Sequence, residues 1–258
     1  DWVRAVRRGV PLAIVTFGCL GLLLLVRLIE RPLCGLRRQV TPSITQFVCK
    51  SAIVILGMRH VTRGTPMQQA GAIVANHSSW LDIFALNAPQ KIYFVAKAEV
   101  AKWPGIGWLA RATGTLFIER KRSAAEAHRR VFVDRLSAGH KLLFFPEGTS
   151  TDGRRVLPFK PPLFEAFFHE ALRPSLWVQP VSVLYTAPSG EDPRYYGWWG
   201  DMDFSEGLIR VLAAPSPGVV TLAFHDPVAV AEFDGRKDMG QTLENSLRAH
   251  VEANLKAP

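Results

Sequence analysis

Beyond residue 70 the chain is dominated by short, nearly continuous apolar runs: AIVAN (72–76), KIYFVA (91–96), GTLFIE (114–119), KLLFFPE (141–147), LWVQPVSVLY (176–185) and VVTLAF (219–224). A strand that is apolar on both faces must be covered on both faces, which is the signature of a mostly parallel sheet between two helical layers. Helical patterns fall between the runs, near 81–87, 100–112, 123–138, 161–172, 205–213 and 239–255, so strands and helices alternate. The expected fold is therefore α/β, a mostly parallel sheet flanked by helices. In such sheets functional loops gather at the carboxyl ends of the strands. Those ends carry NHSSWLD (76–82), FIER (117–120) and FFPEGTST (144–151).

The first sixty residues read differently. Residues 10–26, VPLAIVTFGCLGLLLLV, hold no charge, with Arg4, Arg7 and Arg8 before them and Arg27, Arg31, Arg37 and Arg38 after. As a helix this stretch is about 25 Å long, just short of the roughly 30 Å hydrocarbon core of a bilayer. It suits either a span with snorkelling arginines or a monotopic, re-entrant anchor. The arginines that follow it and the lack of a small-residue cleavage site argue against a secretory signal. A second helix is expected over 43–58, where Ile44, Phe47, Val48, Ser51, Ala52, Ile55 and Leu56 follow helical spacing. It can pack on the first helix or lie in the membrane interface.

Charge is unevenly placed. Of the net +9, residues 1–70 carry +8 and residues 91–160 carry +8, whereas residues 161–258 carry −6. Basic flanks beside apolar segments suit an anionic bilayer surface, and a basic middle suits an anionic ligand. No zinc-finger spacing, RNP aromatics or Lys/Arg helix supports a nucleic-acid partner. Three cysteines, Cys19, Cys34 and Cys49, without a CxxC pair, point to neither a disulfide framework nor a zinc site.

Two segments can carry chemistry. In NHSSWLD, Ser79-Trp80-Leu81-Asp82 fits the S-x-x-D form of a helix capping box, which alone would account for Ser79 and Asp82. On one continuous helix His77 and Asp82 would point about 140° apart. If the helix starts after His77, the carboxylate can reach the ring, fix its tautomer and leave the other nitrogen to take a proton. No GxSxG and no cysteine beyond Cys49 offers an enzyme-borne nucleophile, so the hydroxyl to be activated belongs to a substrate. In FFPEGTST a buried strand ends in a carboxylate, a flexible glycine and hydroxyls, at Glu147, Gly148, Thr149 and Ser150, where exposed amides can bind an anion. Arg120 and Lys160 are candidate anion contacts. The run YYGWWGDMDF (195–204) is equally compatible with core packing and with the lining of a lipid groove.

Taken together these blocks resemble the glycerophospholipid acyltransferase family, especially its bacterial 1-acylglycerol-3-phosphate acyltransferases. NHSSWLD is similar to the family's NHx4D block, GTLFIER (114–120) to its second block, FPEGTS (145–150) to FPEGTRS, and VQPVSV (178–183) to its fourth. VAKAEVAKWPGIGWL (95–109) resembles the segment linking the first two. Two positions depart from the pattern: Ser150 follows Thr149 where arginine is common, and Pro162 stands where glycine is usual.

The resemblance implies a glycerol-3-phosphate acyltransferase-like fold, with membrane-anchoring helices over 1–60 and an acyltransferase domain over 61–258. It implies acyl transfer from acyl-CoA or acyl carrier protein to the hydroxyl of a lysolipid, without a metal or bound cofactor. His77 would be the general base and Asp82 its orienting partner. Arg120, with Lys160, would bind the acceptor's anionic head group, and Glu147, Gly148 and Thr149 would shape that subsite. The leading acceptor is 1-acylglycerol-3-phosphate, giving phosphatidic acid. The alternatives are a lyso-aminolipid such as lyso-ornithine lipid, or water in a thioester hydrolase. The expected location is the inner membrane, with the catalytic domain facing the cytoplasm.

Overall fold

The computed structural model describes residues 1–119 and 125–255. Helices α1 (Trp2–Cys34) and α2 (Thr41–Leu56) form an N-terminal hairpin. The sheet that follows contains β1 (Arg59–Arg63), β2 (Gly71–Ala75), β3 (Tyr93–Lys97), β4 (Leu116–Ile118), β5 (Leu142–Phe144), β6 (Trp177–Thr186), β7 (Val219–Phe224) and β8 (Val228–Ala229). Helices α3 (Asp82–Asn87), α4 (Ile106–Thr113), α5 (Ala125–Ser137), α6 (Phe204–Ala213) and α7 (Arg236–Leu255) lie between or after the strands. The strand order is β1-β7-β6-β2-β5-β3-β4, with β8 also on β6. All pairings are parallel except those of β6 with β7 and with β8.

The buried strands divide two cores by side-chain alternation. On β2, Ile73 and Ala75 face the layer of α1, α2, α3 and α6, while Ala72 and Val74 face that of α5 and α7. On β6, Val181 and Val183 join the first layer and Val178 the second. Pro180 has no N–H to give, and it sits where β7 hands over to β8; its carbonyl accepts His225 N–H at 3.0 Å.

Several expectations need correction. The apolar stretch 10–26 is the middle of a 33-residue helix, about 50 Å long at 1.5 Å per residue. That helix is long and apolar enough to cross a membrane. The helix expected over 161–172 is instead a 3₁₀ segment, Pro161–Phe168. The one expected over 100–112 breaks at Pro104-Gly105 into a 3₁₀ turn and α4. Strand β1 had no counterpart in the sequence reading and spans residue 60, so the sheet begins within the segment assigned to the anchor.

The hairpin is built into the domain. Glu30 is buried and caps α2 from the preceding helix: Oε1 accepts Val40 N–H (2.7 Å) and Thr41 N–H (3.3 Å), and Oε2 accepts the Thr41 hydroxyl (2.7 Å). Arg27 contacts Oε2 at 3.2 Å. Arginines that flank the apolar stretch turn inward. Arg8 donates to Leu212 O (3.1 Å) and Ala214 O (2.8 Å), and Arg4 to Ala213 O (3.2 Å), closing the carboxyl end of α6. Arg38 does the same for α4 at Ala112 O (2.8 Å). Cationic donors at a helix carboxyl end satisfy orphan carbonyls and complement the dipole. Ala5 and Leu12 of α1 and Ala52, Ile53 and Leu56 of α2 join the core under β6 and β7. Exposed apolar side chains run along the whole of α1, from Val3, Val6 and Ile14 to Leu25, Leu28, Ile29 and Leu33.

Replacing Glu30 with alanine strands two backbone N–H groups at the start of α2. The expected loss is about 2 kcal/mol, a fall of roughly 4–8 °C in melting temperature, read by thermal unfolding of the detergent-solubilised protein. An unchanged melt would mean that water replaces the carboxylate without penalty.

Candidate active site

β2 and β5 are parallel neighbours with Val74 opposite Phe144. Three residues beyond each of these positions stand His77 and Glu147, which meet through the His77 N–H and Glu147 Oε1. The side chain of Asn76 clamps the end of β2 onto β6: Nδ2 donates to Val183 O (2.9 Å) and Val183 N–H donates to Oδ1 (2.7 Å). The chain then turns before α3 begins at Asp82.

His77 lies in that turn, and Asp82 reaches back to it. His77 Nδ1 is 2.7 Å from Asp82 Oδ2. The same oxygen accepts the N–H groups of Ser78 (2.9 Å) and Ser79 (3.1 Å), and Oδ1 accepts the Tyr185 hydroxyl (2.7 Å). Asp82 is completely buried. A carboxylate only accepts, so Nδ1 carries the proton and the neutral ring keeps its lone pair on Nε2. The capping box is half present. Asp82 accepts from Ser79 N–H as the motif requires, but Ser79 Oγ accepts Leu81 N–H (3.3 Å) rather than Asp82 N–H.

His77 is held on every other side. Its N–H donates to Glu147 Oε1 (2.8 Å), and its carbonyl accepts both Thr151 N–H (2.9 Å) and the Thr151 hydroxyl (3.2 Å). Its ring stacks on Phe145, 4.0 Å between centroids and 14° from parallel. Glu147 Oε2 accepts Leu157 N–H (2.8 Å), so both carboxyl oxygens face backbone donors. Burial pushes the Glu147 carboxyl up to about 7, opposed by those two hydrogen bonds and reinforced by the charge of Asp82. Tyr185 is driven well above the usual phenol range by burial and by Asp82.

Beside Glu147 opens a groove of about 510 Å³, lined by Thr149, Phe159, Lys160, Pro161 and Pro162 as well as Glu147 itself. Thr149 and Lys160 are exposed at its rim. Lys160, a candidate anion contact between Phe159 and Pro161, is turned to solvent while Phe159 and Phe164 go inward. Gly148 adopts φ 70°, a left-handed turn that brings the chain back from β5, with its N–H on Phe145 O (2.9 Å). Arg120 lies outside the described residues. The structure thus joins His77, Asp82 and Glu147 in one network and sets Thr149 and Lys160 along the adjoining groove, with Gly148 in the turn between Glu147 and Thr149. Asn76, Phe145, Thr151 and Tyr185 escaped the sequence reading as site residues, although Asn76, Phe145 and Thr151 stand within or directly beside the blocks that were singled out. No group of three or more His, Cys, Asp or Glu side chains with metal-binding geometry occurs among the described residues.

A histidine with one nitrogen fixed by a carboxylate can take a proton from a bound hydroxyl or water on the other. A family model described as Acyltransferase matches residues 57–184. A lyso-ornithine lipid O-acyltransferase from Rhodobacter capsulatus is 54% identical over 95% of this chain and 89% of its own length. A 1-acyl-sn-glycerol-3-phosphate acyltransferase from Neisseria gonorrhoeae is 32% identical over 74% of this chain and 73% of its own. The crystal structure of a 1-acyl-sn-glycerophosphate acyltransferase from Thermotoga maritima shares the fold, with a TM-score of 0.65 over 100% of this chain and 97% of that one at 21% identity. The fold and these relatives define an enzyme that moves acyl groups. The chain belongs to the acyltransferase family, and its activity is of the lysophospholipid type.

Two measurements probe the network. Tyr185→Phe keeps the ring and removes one donor from a buried carboxylate; a bond of that kind is worth about 1.5 kcal/mol, so turnover should fall about tenfold with the circular dichroism spectrum retained. Turnover within twofold of wild type would show that Asp82 is held without the phenol. For Glu147 the folded pKa lies above the unfolded value near 4.5, so the folded state binds the extra proton between the two. Its contribution to stability is complete below the unfolded pKa and declines as pH rises through about 7, by about 3 kcal/mol at most. Glu147→Gln does not titrate and sets an amide NH₂ against a backbone N–H. It should melt lower at acidic pH yet lose less stability between pH 5 and 7.5 than wild type. Parallel pH profiles of the two melting temperatures would refute the assignment.

Proposed function

We propose that this chain transfers a fatty acyl group from acyl-CoA or acyl carrier protein to the hydroxyl of lyso-ornithine lipid. The observation that carries the chemistry is the 2.7 Å bond between His77 Nδ1 and Asp82 Oδ2. With Nδ1 engaged, Nε2 takes the proton of the acceptor hydroxyl as its oxygen attacks the thioester carbonyl. The tetrahedral intermediate collapses, the carbon–sulfur bond breaks, and the proton on Nε2 goes to the departing thiolate. The products are the ester and the free thiol. General-base help of this kind is worth about 10²–10⁴ in rate, and positioning of the two substrates supplies much of the rest.

The acceptor is chosen on likeness. The relative that is 54% identical across nearly the whole chain bears the name lyso-ornithine lipid O-acyltransferase, whereas the 1-acyl-sn-glycerol-3-phosphate acyltransferase is 32% identical. This moves the weight from 1-acylglycerol-3-phosphate, the leading expectation, to the amino-acid lipid. An ornithine head group carries a carboxylate, which needs fewer cations than a phosphate monoester. Replacement of the usual arginine by Ser150 agrees with that, and the nearby Arg154 and Arg155 are exposed, Arg155 lying 3.6 Å from Asp152. Lys160 at the groove rim, together with Arg120, is our choice for the head-group contact. We place the enzyme on the inner membrane through α1, with the sheet on the cytoplasmic side where both thioester donors occur.

The deciding experiment offers labelled acyl-CoA and acyl-carrier-protein thioesters to the purified protein with lyso-ornithine lipid or with 1-acylglycerol-3-phosphate, and identifies products by mass. Ornithine lipid should dominate. Phosphatidic acid as the main product would reverse the acceptor, and free fatty acid released without any lysolipid would mean hydrolysis. In the same assay His77→Ala should lose at least about 10²-fold in rate while remaining folded and membrane-bound. A loss of only a few-fold would remove His77 from the mechanism.

A further inference from the structure

Most large aromatic side chains of this protein are packed away, but two indoles on either side of one turn are not. Trp103 is 39% exposed and Trp108 is 65% exposed. They flank Pro104-Gly105, where Gly105 adopts φ 70° and the chain enters α4, and Lys102 beside them is exposed as well. Helix α4 packs directly against both helices of the N-terminal hairpin, and its carboxyl end is tied to the hairpin turn through Arg38 and Ala112 O. The indoles therefore stand beside the element whose later half leaves Leu25, Leu28 and Leu33 uncovered. On the neighbouring α2, Phe47 (57%) and Val54 (76%) are also uncovered.

Exposed indoles next to a membrane-inserting helix have one favoured environment. The ring is apolar and the N–H is a donor, so tryptophan gathers at the boundary between head groups and acyl chains, with lysine close by. We propose that Trp103 and Trp108 form a second membrane contact, seated in the interfacial layer of the bilayer that receives α1. The contact continues into the active site. Trp103 meets Trp198 edge to face (6.1 Å, 88°), and the backbone N–H of Trp198 donates to the carbonyl of Ser78 (2.9 Å), the residue next to His77. Trp198 also packs on Phe204, which packs on Trp80 within NHSSWLD. A path of aromatic rings thus runs from the membrane-facing turn to the loop that holds the dyad. An acceptor lipid, whose chain stays in the bilayer while its hydroxyl is presented to His77, would pass along this edge. The proposal rests on membrane association and not on the identity of the acceptor.

The test is fluorescence of the full chain reconstituted in phosphatidylcholine–phosphatidylglycerol vesicles, comparing wild type with Trp103→Phe and Trp108→Phe. The emission each variant loses should be quenched by brominated phosphatidylcholine and shielded from aqueous iodide. If the lost emission is reached by iodide and untouched by bromolipid, the indoles face water and the proposal fails. If the lost emission is shielded from iodide and also untouched by bromolipid, a second protein copy covers the indoles and the proposal also fails. These readouts need no turnover, so they stand apart from the fate of the acceptor assignment. In kinetics, Trp108→Ser should raise the apparent KM for vesicle-borne lysolipid about tenfold and leave kcat within twofold. A fall in kcat at unchanged KM would assign the indole to the stability of α4 and overturn the proposal.

Discussion

The site depends on burying one carboxylate. Asp82 has no exposed surface, and a buried carboxylate without partners costs several kcal/mol. Four donors offset that cost, and they come from separate parts of the chain: the His77 ring, the N–H groups of Ser78 and Ser79, and the Tyr185 hydroxyl. The first three require the turn after β2 to close over the start of α3. The fourth requires β6 to be in register, since Tyr185 lies four residues beyond Val181, the partner of Ala75. The Asn76 clamp to Val183 secures that register at the point where it matters. Strand pairing, turn and dyad are thus one cooperative unit.

The membrane-associating hairpin belongs to the same unit. A tethered anchor would connect to the sheet through a linker, whereas here α1 and α2 supply core side chains over β6 and β7. Four of the arginines on either side of the apolar stretch make contacts inside the protein, at α6, at α4 and at Glu30. Basic flanks that look like pure bilayer ligands in the sequence are therefore divided between lipid and fold. Packing the hairpin in this way fixes the orientation of the apolar face of α1 relative to the sheet.

What was legible in the sequence follows from locality. β2, β5 and β6 are continuous apolar runs because both faces are covered, so they could be read directly, as could the dyad residues at the end of the first. β1 could not be, because RHVTR carries no apolar pattern and becomes a strand only when β7, about 160 residues later, supplies its hydrogen-bond partners. The 3₁₀ segment at Pro161 departs from an apolar periodicity that suits an α-helix equally well. Tyr185 was hidden for the opposite reason. Nothing around it differs from an ordinary strand tyrosine, and its role exists only through a residue 103 positions earlier. Arg120, singled out for the head group, lies outside the described residues.

Glu147 shows how environment divides labour between two carboxyl groups of one site. Asp82 meets a ring, two amides and a phenol, and its charge is matched. Glu147 meets two amides in a buried pocket near that charge and is pushed up to about 7. Its position in FPEG suggested contact with the acceptor, yet both oxygens are turned to the backbone, one of them to His77 itself. The histidine is then fixed at its N–H by Glu147, at its carbonyl by Thr151, at Nδ1 by Asp82 and across its face by Phe145, which leaves Nε2 as the one polar atom of the residue without a partner among the described residues. Rigid support of a reacting group removes the reorganisation it would otherwise undergo when substrate arrives. The FPEG segment thus holds His77 in place, and the groove beside it is left to Thr149, Lys160 and the two prolines to shape.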